Sequence, residues 1–397
     1  MVWGTDRTNK DNGLAGIWKG LSAVKDDARL HGYYIYYETI TNFVGVKKKI
    51  DNQIAVLNTY FNCKKIIVPR EKKNIIRSVM WRLPFGSFGR KYEEVFDEIQ
   101  EADFVYVRLV PVDRRFLGFI KKLRSRFPHC RILLEIATYP YQNELLSDFT
   151  MLPFFFKDFI YRRKLVKYID RIVTFSDDSY IWKIPTIHIR NGVLVDKLSP
   201  VTNDKKDDVI VLLAVASFQK IHGYERCIKG LGEYYRKGGH RRIELHFVGN
   251  GAEVEKYKEL IRSYQLEPYA FFYGLQTGEK LEAIYNKADI GLGELGVFKR
   301  KLQKVSSLKT PEYLSKGLPV IVGFEEETFK IEPTRYVCEF PNDDSSIDMD
   351  RIVKFYDEIY KGKMSRKEIH EEIRAYARRM VDLHELMQPV VDYILQN

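Results

Sequence analysis

Short runs rich in valine, isoleucine and aromatic residues alternate with helix-length amphipathic stretches along this chain, and the alternation happens twice. In the first half, Tyr33–Tyr37 reads as a strand, 38–45 as a loop, Lys47–Phe61 as a helix with Ile50, Ile54 and Leu57 inward, and Lys65–Val68 as a second strand. Strand, glycine loop, helix and strand make a βαβ unit, in which a glycine such as Gly45 lets a ligand approach the backbone. Further strands are expected at 104–107, 132–136 and 171–175, with helices at 113–126 and around 157–168. A second series starts at Val209–Val215, continues through a helix from Tyr224, strands at 245–248 and 271–274, a helix at 279–287 and a strand at 289–292. The fold class is therefore α/β, with two Rossmann-like domains of mostly parallel sheet whose ligands bind beyond the strands' C-terminal ends.

The polar stretch 191–208, opening on Asn191-Gly192, is the candidate linker. It divides the chain into an N-terminal domain at 1–195 and a C-terminal domain at 196–375, with a final helical segment at 376–397 that packs back toward the first domain. Leu14, Ile17, Trp18, Leu21 and Val24 fall at helical spacing ahead of both, either as a packed helix or as one lying on a membrane surface. A net charge of +11 calls for an anionic partner, and an anionic membrane surface fits it. Nucleic acid is not expected, because the basic residues are spread along helices and neither a zinc-finger spacing nor an RNP-like aromatic signature occurs. No apolar run reaches the ~18 residues that span a bilayer. Met1–Asn12 is polar with no apolar run and cleavage site behind it, so a cytoplasmic location is expected, peripheral on the inner face of the plasma membrane. Cys63, Cys130, Cys227 and Cys338 lack disulfide or zinc spacing and read as buried thiols.

The most informative stretch is 306–323, S-S-L-K-T-P-E-Y-L-S-K-G-L-P-V-I-V-G. Ser306, Ser307 and Thr310 can each cap a helix, Pro311 suits its first turn, and Gly317 ends it before the strand Val320–Val322. Lys309 and Glu312 then stand three residues apart near the helix N-terminus, either as a surface ion pair or as a grip for a nucleotide. In the second reading lysine neutralises diphosphate oxygens while the carboxylate accepts hydrogen bonds from ribose hydroxyls. Another candidate site is A-T-Y-P-Y-Q-N-E at 137–144, where Tyr139, Tyr141 and Glu144 either bind a sugar or pack a loop. The chain has no G-x-x-x-x-G-K-[ST], G-x-S-x-G or H-E-x-x-H pattern, and the N-G-A-E turn at Asn250 does not complete a G-x-G-x-x-G fingerprint, which argues against P-loop phosphoryl transfer and hydride transfer.

In order, N-G-V (191–193), H-G-Y-E-R (222–226), V-G-N-G (248–251), Y-G (273–274), L-x-x-I-Y-x-x-A-D-I (281–290) and S-S-L-K-T-P-E-Y-L (306–314) resemble the retaining GT-B glycosyltransferases of the E-x7-E, family 4 type. More narrowly they resemble bacterial enzymes of capsular and exopolysaccharide synthesis. V-G-V-K-K-K-I-D-N-Q-I (44–54) and L-E-I-A-T-Y-P-Y-Q-N-E (134–144) extend the likeness into the first domain.

The resemblance implies a nucleotide-sugar donor, with UDP as its nucleotide, held by the second domain. It also implies a lipid-linked or polysaccharide acceptor held by the first, transfer in the cleft between them, and no cofactor or obligatory metal. Catalytic roles fall on Lys309, Glu312 and Arg300. Donor contacts fall on Gly45, Ser217, His222, the turn Gly249-Asn250-Gly251, Tyr273 and Gly274, and on Ser307 and Leu308 beside Lys309 and Glu312. Acceptor contacts fall on Tyr139, Tyr141 and Glu144. Glu312 matches the second glutamate of the motif, whereas the first is replaced by Lys304, and the family's arginine and lysine near the first loop of the second domain correspond to Ser217 and His222. His222 is read either as a loop-packing histidine or as a ligand. Two other readings stand beside this one, a GT-B sugar-nucleotide epimerase and a non-catalytic basic module for glycans or nucleic acid.

Overall fold

The computed structural model describes residues 29–40, 44–72, 74–83, 86–87, 89–141, 151–204, 208–300 and 307–396. The amphipathic stretch at 14–25, Glu144, Lys304 and Ser306 lie outside the described residues. The chain divides into a first unit, Met1–Ile189 with Met387–Asn397, and a second unit, Arg190–Leu386.

In the first unit β1 (His31–Tyr37), β2 (Asn62–Val68), β3 (Phe104–Arg108), β4 (Arg131–Ile136), β5 (Arg171–Thr174), β6 (Tyr180–Ile181) and β7 (Ile184–His188) form one sheet in the order β2-β1-β3-β4-β5-β7-β6. All pairs are parallel except the β6–β7 hairpin at one edge. The first five strands follow the 2-1-3-4-5 order of flavodoxin-like sheets, with the direction of winding reversing between β1 and β3. Every residue of β3 is buried, as expected of a parallel strand covered on both faces. The strands reach further than the apolar runs: β2 begins at Asn62, since parallel pairing with β1 needs backbone hydrogen bonds rather than apolar side chains. The helices are α1 (Val44–Tyr60), α2 (Ile75–Arg82), α3 (Tyr92–Glu98), α4 (Arg114–Arg126) and α5 (Leu152–Arg162), the last followed by a 3-10 turn, Arg163–Lys167. Asp113 caps α4 by accepting from the Phe116 amide at 2.8 Å.

The second unit holds β8 (Ile210–Val215), β9 (Ile243–Val248), β10 (Ala270–Gly274), β11 (Ile290–Leu292), β12 (Val320–Val322) and β13 (Val337–Glu339), all parallel, in the order β10-β9-β8-β11-β12-β13. This is the doubly wound 3-2-1-4-5-6 arrangement, and its winding reverses between β8 and β11. Its helices are α6 (Glu225–Arg236), α7 (Val254–Ser263), α8 (Gly278–Tyr285), α9 (Lys309–Ser315), α10 (Glu327–Ile331), α11 (Met349–Tyr360), α12 (Arg366–Met380) and α13 (Leu383–Leu395), which runs on into the first unit's residues. Each unit has its own buried apolar cluster.

Two expectations need correction. Much of the stretch at 191–208 is not an exposed linker: Val193, Val195 and Val201 are buried, and Arg374 donates to the Leu198 carbonyl at 2.8 Å. The final helical segment expected at 376–397 is not one helix: α12 runs on to Met380 and α13 starts at Leu383, because the 381–382 turn is tied back to Val193.

Candidate functional site

The crevice at the β8/β11 reversal is where an open parallel sheet offers loop backbone and side chains to a ligand. Three loops meet there. The loop after β11 bonds to the one after β8 through Leu295 N–H to His222 O (2.9 Å) and Gly296 N–H to Ile221 O (3.0 Å), and the Gly323 amide, just past β12, donates to Glu294 O at 2.8 Å. From the other side, Gly249 (φ 126°) brings the turn after β9 so close that a Cβ would lie 1.9 Å from the Ala216 carbonyl oxygen, so only glycine fits.

α9 presents its first residue, Lys309, to this crevice. Neither Ser307 nor Thr310 takes the cap position, which falls to Leu308. The Ser307 hydroxyl instead accepts from the Lys309 amide at 3.0 Å, and Thr310 is buried inside the helix. At the far end Gly317 (φ 84°) closes a Schellman motif, with Leu318 N–H bonded to Tyr313 O (2.9 Å) and Gly317 N–H to Leu314 O (3.0 Å). Seven residues make a short dipole, so the positive charge of the site comes from the lysine side chain rather than from the helix.

Lys309 does not use Glu312 as its ion-pair partner. Its Nζ donates to Glu294 Oε1 at 2.7 Å, and Glu294 is 6% exposed. Burial works to raise the Glu294 carboxyl, but the charge and hydrogen bond of Lys309 outweigh it and hold the group below the usual carboxylate range. Glu326, buried at the start of α10, goes the other way: burial first and the negative Glu294 second push it up to about 8. Of these two neighbouring carboxyls, one keeps its charge by pairing with Lys309 and the other keeps its proton. His222 completes the cluster. Its Nδ1 accepts from the Gln219 amide at 2.8 Å, its ring stacks on Tyr224 at 5.7 Å, and burial together with the Lys309 charge lowers it to about 3, so the imidazole is neutral.

Glu312 is half-buried in the first turn of α9. Arg300 ends a 3-10 segment, Val297–Arg300, and is exposed, while the adjacent Lys299 is taken up by buried Glu225. Ser217 and Asn250 are exposed on loops that follow β8 and β9. Tyr273 lies on the edge strand β10 with its hydroxyl 3.1 Å from His246 Nδ1, and the Gly274 carbonyl accepts from the Gly249 amide at 2.7 Å. Lys309, His222, Ser307 and Leu308 thus come together, with the glycine turn alongside, whereas Tyr273 is engaged at the sheet edge. Glu294 and Glu326 were not anticipated. The first had a signal, a carboxylate between glycines directly after a buried strand in G-L-G-E-L-G; the second sits in E-E-E at 325–327, which reads as a solvated acidic run.

In the first unit Gly45 lies within the first turn of α1 rather than in a loop before it, and a Cβ there would meet nothing within 4 Å. Tyr139 is half-buried, and Tyr141 packs inward with its hydroxyl donating to Asp158 at 2.7 Å. The two first-domain stretches at 44–54 and 134–144 do meet, in a buried cluster. Glu135 accepts from Tyr106 and Arg108 (both 2.7 Å), from Gln53 (2.9 Å) and from Tyr34 (3.3 Å), with Lys49 Nζ at 3.7 Å. Burial lowers Lys49 to about 8. Among the described residues no group of three or more His, Cys, Asp or Glu is placed to hold a metal ion, and no helix is long and apolar enough to cross a membrane. All four cysteines are buried and free.

Residues 196–349 match the family model "Glycosyl transferases group 1". A comparison with curated protein sequences gives no significant match. Among solved structures, a glycosyltransferase from Rickettsia africae ESF-5 aligns with a TM-score of 0.58 at 14% identity, covering 93% of this chain and 100% of that one. The lipopolysaccharide outer core galactosyltransferase WaaB aligns at 0.55 and 15% identity, covering 92% and 99%. Anabaena HepE, in complex with UDP and glucose, aligns at 0.56 and 11% identity, again covering 92% and 99%.

Proposed function

Since this chain is a glycosyltransferase with the GT-B fold, we propose that it moves a sugar from a UDP-sugar to a hydroxyl of a lipid-linked or polysaccharide acceptor, with retention and without an obligatory metal, in cell-surface polysaccharide synthesis. The observation that carries the reading is the Lys309 ammonium, held by buried Glu294 at the winding reversal of the matched domain. An ammonium has three donors. Glu294 takes one and fixes the group in place, leaving two for diphosphate oxygens.

As the bond from the anomeric carbon to the diphosphate oxygen breaks, negative charge grows on the leaving group, and Lys309 with Arg300 stabilises it. Glu312 accepts hydrogen bonds from the ribose hydroxyls. The acceptor hydroxyl then bonds to the anomeric carbon and its proton passes to the departing phosphate, so no paired-carboxylate base is required. Neutral His222 and protonated Glu326 keep further charge away from the donor. The acceptor is assigned to the first unit and the enzyme to the cytoplasmic membrane face.

Incubation with radiolabelled UDP-sugars and a membrane lipid extract yields a labelled lipid product, and Lys309→Ala or Glu312→Gln nearly abolishes it. Full activity in both variants removes the site assignment, and a donor consumed without any acceptor product removes the transfer reading.

A further inference from the structure

Eight of the fourteen large hydrophobic side chains exposed among the described residues fall within just two segments, 75–83 and 156–166. Isolated exposed apolar residues are ordinary, whereas a concentration of them marks an interaction surface. Ile75, Val79 and Met80 stand out from α2, and Phe156, Phe159 and Ile160 from α5. The two helices are neighbours, because the buried Lys157 ammonium donates to the Trp81 carbonyl. Basic side chains rim the apolar ones: Arg77 and Arg82 on α2, and Arg163, Lys164 and Lys167 beyond α5, all exposed, with the Arg163 guanidinium 4.4 Å from the Phe159 ring centre. The one acidic residue within these segments, Asp158, is engaged by Arg162 at 3.0 Å, and Glu71, ahead of α2, by Arg115 at 2.7 Å and Arg77 at 3.9 Å.

We propose that this face of the first unit docks on an anionic phospholipid bilayer, with the apolar side chains entering at headgroup level and the basic rim meeting lipid phosphates. The charge selects the occupant. A second copy of the same surface would bring two basic rims together, which like-charge repulsion opposes. The inference deepens the lipid-linked acceptor reading and rests on it for its purpose, but the binding needs no donor and is measured without one.

The test is sedimentation of the full chain with vesicles of phosphatidylglycerol and phosphatidylcholine in equal parts, against phosphatidylcholine alone, in low and high salt. Wild type partitions onto the anionic vesicles about tenfold or more better than onto neutral ones, and salt weakens the binding. Val79→Ser/Phe156→Ser/Ile160→Ser and Arg163→Glu/Lys164→Glu/Lys167→Glu each lose about tenfold or more. Both variants keep the far-UV circular dichroism and the UDP-induced thermal shift of wild type, which shows that they fold and separates this proposal from the donor-site reading. No vesicle binding by wild type, equal binding to both vesicle types, or variants that bind like wild type overturns the assignment. Concentration-dependent self-association that the triple serine variant abolishes, with no vesicle binding, assigns the face to a second copy instead.

Discussion

Replacing Glu326 with glutamine removes one proton-binding group and leaves a neutral side chain of nearly the same shape. In the folded protein the Glu326 carboxyl is pushed up to about 8, against about 4.5 for a free glutamate, by burial and by the neighbouring Glu294 charge. Between those values the folded state binds a proton that the unfolded state has released, so the contribution of Glu326 falls as pH rises. Integrating the two titrations gives a loss of roughly 3 kcal/mol between pH 6 and 9 for wild type, which Glu326→Gln does not suffer. Urea unfolding of both proteins across that range, followed by far-UV circular dichroism, reads the difference directly. Lys49, lowered to about 8, titrates in both proteins and cancels. Trp3, Trp18, Trp81 and Trp182 all precede residue 190, so tryptophan fluorescence reads the first unit alongside the circular dichroism of the whole chain. Parallel stability curves for the two proteins would refute the claim that Glu326 folds with its proton on.

Lys309→Ala strands the buried Glu294 carboxylate and costs about 3–5 kcal/mol, read by denaturant unfolding. Adding Glu294→Gln returns most of that stability without restoring transfer, and a double variant that recovers activity would reduce Lys309 to a structural partner. Gly249→Ala must place a side chain at φ 126° against the Ala216 carbonyl and costs more than about 2 kcal/mol, seen as a lowered melting temperature. His222, lowered to about 3 by burial and Lys309 from 6.5, is neutral in the fold, so its contribution is complete above pH 6.5 and is lost as pH falls toward 3. His222→Gln therefore flattens the acid limb of the stability curve, and an unchanged limb would show that the imidazole is solvated.

The two-sheet α/β organisation was legible in the sequence because buried parallel strands must be apolar on both faces, as Val209–Val215 and Phe104–Val107 are, and because helices between them carry a 3.6-residue stripe. The end of α9 at Gly317 was legible too, since only a residue free at positive φ closes a Schellman motif there. Strand order was not, because which strand lies beside β8 depends on long-range pairing that no local pattern encodes. The partner of Lys309 was lost for the same reason: Glu312 is close in sequence, while Glu294 is brought in by the parallel pairing of β11 between β8 and β12. Nothing local marks Glu326 among the three acids at 325–327, and only its burial near the Glu294 charge makes it an acid that keeps its proton. The sequence by itself determined the local elements and the residue types available for charge. The tertiary structure decided which charges are buried together, and burial, by weakening solvent screening, decides whether each is ionised.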